Sequence, residues 1–212
     1  MRFTTSGTTG EPIGWLRTPR QIWAEAEVVA RVIAEATDGD RPQSMLSFAP
    51  PSHLYGVMAT AVLPAYLRIP VTYVAPGERL PIDNVDEHQL IAAIPSTFAL
   101  LLNSRIGWSV PERVTFLHST AVLPAVGTQL VDGFSANQRL IEIFGSTETG
   151  AVATRLGGRR HSDWVLCEDV QFEDSAGTRP QQSPIAERLL EVRSPGSPAL
   201  RVVLSRERAQ VR

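Results

Sequence analysis

The chain has 212 residues, of which 43% are hydrophobic and 20% charged, with a formal net charge of −2. That balance describes an ordinary globular protein without the basic surplus of a nucleic-acid scaffold, so no nucleic-acid partner is expected. Cys167 is the only cysteine, which excludes an intramolecular disulfide, and no apolar run approaches the roughly 20 residues that span a bilayer.

In chain order, Phe3-Thr4-Thr5-Ser6-Gly7-Thr8-Thr9-Gly10-Glu11-Pro12-Ile13-Gly14 comes first, interleaving hydroxyls with glycines. Glycines let backbone N–H groups turn toward a bound anion, and Ser and Thr hydroxyls add donors, a chemistry that suits a nucleotide phosphate. The spacing is not that of the P-loop, because no Lys-Ser/Thr pair follows Gly10 or Gly14. The plainer alternative is a Ser/Thr/Gly-rich flexible terminus. The N-terminus also lacks a signal-peptide layout, and a cytoplasmic location is expected.

A helix follows. Thr18 is placed to cap it, Pro19 suits its first position and Gln21 completes a capping box. Ile22, Ala26, Val29 and Ile33 recur at helical spacing, and Asp38-Gly39-Asp40 ends the pattern. The sequence then predicts a strand over 45–49, a helix over 53–67 and a strand over 71–74. Helices are expected over 86–94 and 97–103, separated by Pro95. A strand over 114–117, a helix over 124–134 and a strand over 140–144 complete this part. Strands alternating with helices imply an α/β fold, a mostly parallel sheet flanked by helices.

After Gly150 the texture changes to short strand candidates over 152–156, 164–172, 189–192 and 200–204, separated by turn residues, which reads as antiparallel hairpins. The expected organisation is an α/β core over 1–150 and an incomplete antiparallel β segment over 151–212.

Two further motifs sit beside predicted strands. Phe144-Gly145-Ser146-Thr147-Glu148-Thr149-Gly150 continues a strand into a polar loop, and open α/β sheets bind ligands at the carboxyl ends of their strands. Thr147 can donate to a phosphate, and Glu148 can hold a Mg²⁺ that bridges phosphate oxygens. A hydrophilic turn with a surface glutamate is the alternative. Pro50-Pro51-Ser52-His53-Leu54-Tyr55-Gly56 places a histidine at a helix start, where a lone His is ordinarily structural.

Together these segments resemble the adenylate-forming (AMP-binding) superfamily, which includes acyl- and aryl-CoA ligases and the adenylation domains of peptide synthetases. The opening run is similar to its T-S-G-[ST]-T-G-x-P-K-G loop, with Ile13 in place of the lysine. The 144–148 run resembles Y-G-x-T-E with Phe144 for tyrosine, and 50–56 resembles P-x-x-H-x-x-G. His118-Ser119-Thr120-Ala121-Val122-Leu123-Pro124 aligns with S-G-G-A-P-L-P, with Ser119 and Thr120 replacing glycines. Weaker likenesses run over 94–102 and 188–195.

The resemblance implies ATP-dependent activation of an aryl or fatty acyl carboxylic acid as its acyl-adenylate, followed by transfer to a thiol of CoA or a phosphopantetheine carrier. Thr5, Ser6, Gly7, Thr8, Thr9 and Gly10 would embrace the β- and γ-phosphates. Ser119, Thr120 and Ala121 would line the adenine and acyl pocket. Phe144 would pack on adenine beside Gly145 and Ser146, and Thr147 would contact the α-phosphate. Glu148 would bind Mg²⁺, and His53 would lie near the reacting carboxylate.

Relatives are roughly twice as long or more, within the size range that divides into several domains. The ribose-binding T-G-D and the adenylation lysine find no counterpart here. The expectation is therefore a truncated form, helped by an acyl carrier protein or a complementing polypeptide, or else a non-catalytic remnant that binds only nucleotide or a protein partner.

Overall fold

The computed structural model describes residues 1–5, 13–80, 88–103, 111–119, 122–147, 149–157, 163–172, 202–204 and 210–211. Strands β1 (Arg2–Thr5) and β2 (Ile13–Leu16) pair antiparallel with Thr5 opposite Ile13. The hydroxyl-glycine loop is thus carried between two paired strands, although residues 6–12 lie outside the described residues.

Helix α1 (Pro19–Ala36) begins as expected. The Thr18 side chain accepts from the Gln21 amide, the Gln21 side chain accepts from the Thr18 amide, and Pro19 occupies the first turn. Its buried stripe contains Ile22, Ala26, Val29 and Ile33, but also Glu25. The helix stops where Asp38 and Gly39 take positive φ angles of 53° and 82°.

Strand β3 (Ser44–Ser47) leads into α2 (Leu54–Val57), a π-helical turn (Met58–Val62) and α3 (Leu63–Leu67). Next come β4 (Val71–Tyr73), β5 (Gln89–Ala93), α4 (Pro95–Asn103), β6 (Val114–His118) and α5 (Ala125–Asp132). The remainder is β7 (Gln138–Ser146), β8 (Gly150–Leu156), β9 (Val165–Leu166), β10 (Val170–Phe172), β11 (Val202–Leu204) and β12 (Gln210–Val211).

One expectation is overturned here. The expected helix over 86–94 contains instead β5, whose five residues are all buried and which pairs in parallel with β3 and β6. A strand covered on both faces reads as the continuous apolar run Leu90-Ile91-Ala92-Ala93-Ile94, and periodicity does not separate that run from a buried helix. Two hydrogen-bonded neighbours override the mild helix preference of Gln, Leu and Ala.

The main sheet has seven strands in the order β4-β3-β5-β6-β7-β8-β9. It is parallel from β4 to β7 and antiparallel from β7 to β9, so it runs continuously across residue 150. Val170–Phe172 leaves this sheet to pair with Val202–Leu204, and Gln210–Val211 joins β2. The expected strand over 189–192 and the likeness over 188–195 lie outside the described residues.

Two apolar layers flank the sheet. On one face Val29 and Ile33 of α1 and Leu63 of α3 meet Met45, Leu90, Leu117 and Ile141. On the other, Phe98 of α4 and Val131 of α5 meet Ile91, Phe116 and Leu140. Each fully buried Phe or Ile side chain contributes about 1.5–3 kcal/mol relative to exposure. A third cluster of Phe3, Ile22, Ala26, Leu54 and Met58 seats the β1–β2 hairpin against α1 and α2. Among the described residues, no helix is long and apolar enough to cross a membrane.

Candidate functional site

A cavity of about 250 Å³ opens at the carboxyl ends of β6 and β7, under α1, α2 and the π-helical turn. His53, Ser119, Gly145, Ser146 and Thr147 line it together with Met58, Ala59, Leu63 and Ile143. Three stretches that are far apart in the chain, all singled out from sequence, thus meet at one place. It is where an open α/β sheet binds ligands.

Each motif has a local reason for its shape. His53 has extended backbone (φ −115°, ψ 160°) at the start of α2 and its side chain is exposed. Gly56 is buried because a Cβ there would overlap the carbonyl of Pro50, so the glycine lets α2 pack onto the turn that carries His53. The Tyr55 hydroxyl donates to the Leu117 carbonyl at 2.8 Å, with the Ala93 carbonyl at 3.4 Å. Burial raises its pKa, so it remains a neutral anchor between helix and strand ends.

At the end of β7 the pairing with β8 shifts register between Phe144 and Gly145. A Cβ on Gly145 would overlap the Gly150 carbonyl, so only glycine lets the two strands approach at this bulge. The Ser146 amide donates to Thr149 Oγ1 at 3.1 Å, the Thr149 amide donates to Ser146 Oγ at 3.2 Å, and the hydroxyls are 2.9 Å apart. This reciprocal lock closes the turn that presents Thr147.

Phe144 is 41% exposed and meets the Trp164 ring edge-on at 5.9 Å. Arg155 lies 4.4 Å from the Trp164 centroid and forms a two-bond pair with the buried Glu142 at 2.6 and 3.1 Å. His118, opposite Glu142 in the β6–β7 register, is buried edge-on against Phe98, and burial lowers its pKa.

The structure adds Arg17 and Glu25, which sequence reasoning missed. Arg17 Nη1 donates to Glu25 Oε2 at 2.7 Å, and the two side chains are 0% and 8% exposed. Glu25 itself lines the cavity. The signal was present, because a glutamate three residues after Ile22 and one before Ala26 falls on the buried stripe.

Of the other expected site residues, Thr5 ends β1. Ser6, Gly7, Thr8, Thr9, Gly10, Thr120, Ala121 and Glu148 lie outside the described residues. Among the described residues no group of three or more His, Cys, Asp or Glu is gathered for a metal ion. The oxygen donors Thr147 and Glu148 nevertheless have the hardness that Mg²⁺ requires when nucleotide phosphates supply most of its ligands.

The family model for AMP-binding enzyme matches residues 3–179. Among solved structures, VinN superposes with a TM-score of 0.64 at 17% identity, covering 85% of this chain and 46% of VinN. O-succinylbenzoate coenzyme A synthetase (MenE) from Bacillus subtilis, in complex with AMP, gives 0.61 at 20% identity, covering 81% of this chain and 36% of that one. An ATP-bound RpMatB–BxBclM chimera gives 0.57 at 16%, covering 81% and 34%. At these identities the likeness is one of fold, and the chain spans less than half the length of each. No curated protein matches it.

Proposed function

Because the chain belongs to the AMP-binding enzyme family, we propose that its cavity activates a compact, largely apolar acyl or aryl carboxylic acid as the acyl-adenylate. The observation that carries this reading is the convergence of His53, Ser119 and the Gly145–Thr147 turn on one cavity at the strand ends. A carboxylate oxygen of the acid attacks the α-phosphorus of ATP and the bond to the leaving pyrophosphate breaks. The acyl group then passes to a thiol of CoA or of a carrier's phosphopantetheine arm, releasing AMP.

In this reading Thr147 donates to the α-phosphate and Phe144 covers the adenine, with Trp164 steadying its ring. Thr5 to Gly10 wrap the terminal phosphates, Ser119 to Ala121 line the nucleotide and acyl pocket, and His53 faces the joined carboxylate and phosphate. Glu148 would hold Mg²⁺, which when bound neutralises phosphate charge. The chain's own task is alignment of the reacting groups and exclusion of water.

The walls support a compact substrate. The cavity of about 250 Å³ is smaller than the roughly 300–1,000 Å³ of drug-sized pockets, and Val29, Met58, Ala59, Leu63, Leu117 and Ile143 supply apolar lining. Acid-dependent exchange of pyrophosphate into ATP, run with the chain and a panel of acids, tests the reading. Benzoate-sized and short branched acids are expected to support exchange, and long-chain acids are not. Ala59→Phe, which fills the cavity, is expected to abolish exchange.

A second reading, nucleotide binding without catalysis, is favoured by Ile13 at the lysine position of the phosphate loop. The sequence has no lysine at any position, since all 20 of its Lys and Arg residues are arginines. AMP and Mg²⁺·ATP binding with no acid-dependent exchange would establish it. Absence of both exchange and nucleotide binding would overturn both readings.

A further inference from the structure

Resting on the reading of this cavity as the nucleotide and acid site, we infer that the buried Arg17–Glu25 pair positions the turn that presents Thr147. It ties that turn to the end of the β1–β2 hairpin.

The pair grips both ends of the turn. At one end the Thr147 carbonyl accepts from Arg17 Nε at 3.1 Å and from Nη2 at 2.9 Å. At the other, the Ala151 amide donates to Glu25 Oε1 at 3.1 Å. The pair itself closes through Arg17 Nη1 and Glu25 Oε2 at 2.7 Å. Gly150 lies between, with φ +71°, and a Cβ there would stand 2.5 Å from Glu25 Oε2. The carboxylate therefore packs against bare glycine backbone, and the turn's left-handed residue and the acid fit as one unit.

The residue types match this task. A guanidinium offers a rigid fork, here two donors on one carbonyl and a third on a carboxylate, and an ammonium has no such fork. Arg17 directly follows β2, at the end of the hairpin where Leu16 pairs with Arg2. The pair thus joins that end of the hairpin to the turn after β7. A buried ion pair is often replaceable by apolar residues with no loss of stability. Misplacing a reacting group by about 1 Å can cost on the order of 100-fold in rate.

The test uses the full chain and two probes, Mg²⁺·ATP and metal-free AMP, measured by calorimetry alongside amide hydrogen exchange over 147–151. Wild type is compared with Glu25→Gln, Arg17→Lys and the apolar double variant Arg17→Met/Glu25→Leu. Binding of Mg²⁺·ATP and of AMP is expected to weaken by about tenfold in the double variant, the worth of one hydrogen bond to a charged phosphate, and less in Arg17→Lys. Exchange at Gly150 and Ala151 is expected to accelerate in each variant.

A folded double variant with wild-type Mg²⁺·ATP affinity and wild-type exchange would overturn the inference. Should the double variant not fold, wild-type affinity and exchange in Arg17→Lys would overturn it equally. A wild-type chain that binds neither probe is a separate result, and it removes the reading of the site together with this inference.

Discussion

One buried polar cluster at each end of the parallel sheet makes an instructive comparison. At the carboxyl end, Arg17 and Glu25 bond to each other and to loop backbone, at Thr147 and Ala151. At the amino end, side chains face one another. His88 Nε2 sits 2.9 Å from Thr115 Oγ1, its Nδ1 is 3.2 Å from Asp40, and Arg113 is 3.7 Å from the same carboxylate. One arrangement gives a loop its shape, and the other closes an edge of the core. The contrast assigns ligand geometry to the first and stability to the second.

Glycine substitutions probe this difference most strongly. At the carboxyl end, Gly145→Ala sets a Cβ against the Gly150 carbonyl, and only movement of β7 from β8 relieves it. The expected cost is about 1–3 kcal/mol in urea unfolding, with nucleotide affinity falling in parallel. At the amino end, Gly39 has φ +82°, but a Cβ added there would meet nothing within 4 Å. Gly39→Ala is expected to cost about 1 kcal/mol from the left-handed backbone alone and to leave nucleotide affinity unchanged. Equal loss of affinity in both variants would break the contrast.

Legibility in the sequence follows the same physics. Helix α1 is readable because capping, proline placement and apolar spacing agree at Thr18, Pro19, Gln21 and Ile22. The turn after β7 is readable because glycines and hydroxyls at a strand end have few other uses. Strand β5 reads as helix because burial on both faces removes the alternation that marks a strand. The β1–β2 hairpin is hidden, since its four-residue strands lean on pairing and on Phe3 packing that only the folded chain supplies. Arg17 and Glu25 escape for a related reason. Their partners are the Thr147 carbonyl and the Ala151 amide, more than a hundred residues away, and backbone groups have no sequence signature.

The smallest expected effect concerns the amino end and pH. Burial lowers the His88 pKa from its ordinary value near 6.5, Asp40 opposes that shift, and Arg113 and Arg139 reinforce it. Below about pH 6.5 the unfolded chain therefore binds protons that the folded chain resists, so stability falls as pH drops and is unaffected above that value. His118 at the carboxyl end contributes in the same direction, again through burial, with Glu142 opposing. Asp40→Asn isolates the His88 share, because it removes the carboxylate that favours the charged ring and lowers the folded pKa further. Its extra loss of stability at about pH 5 relative to about pH 7.5 is expected to stay under about 1 kcal/mol, since Asp40 is 45% exposed. Urea midpoints of both proteins at the two pH values give the measurement, and nucleotide affinity at the higher pH should not change. Identical acid sensitivity in the two proteins would move the titrating group to His118, and the pH response would then belong to the end of the sheet that holds the cavity.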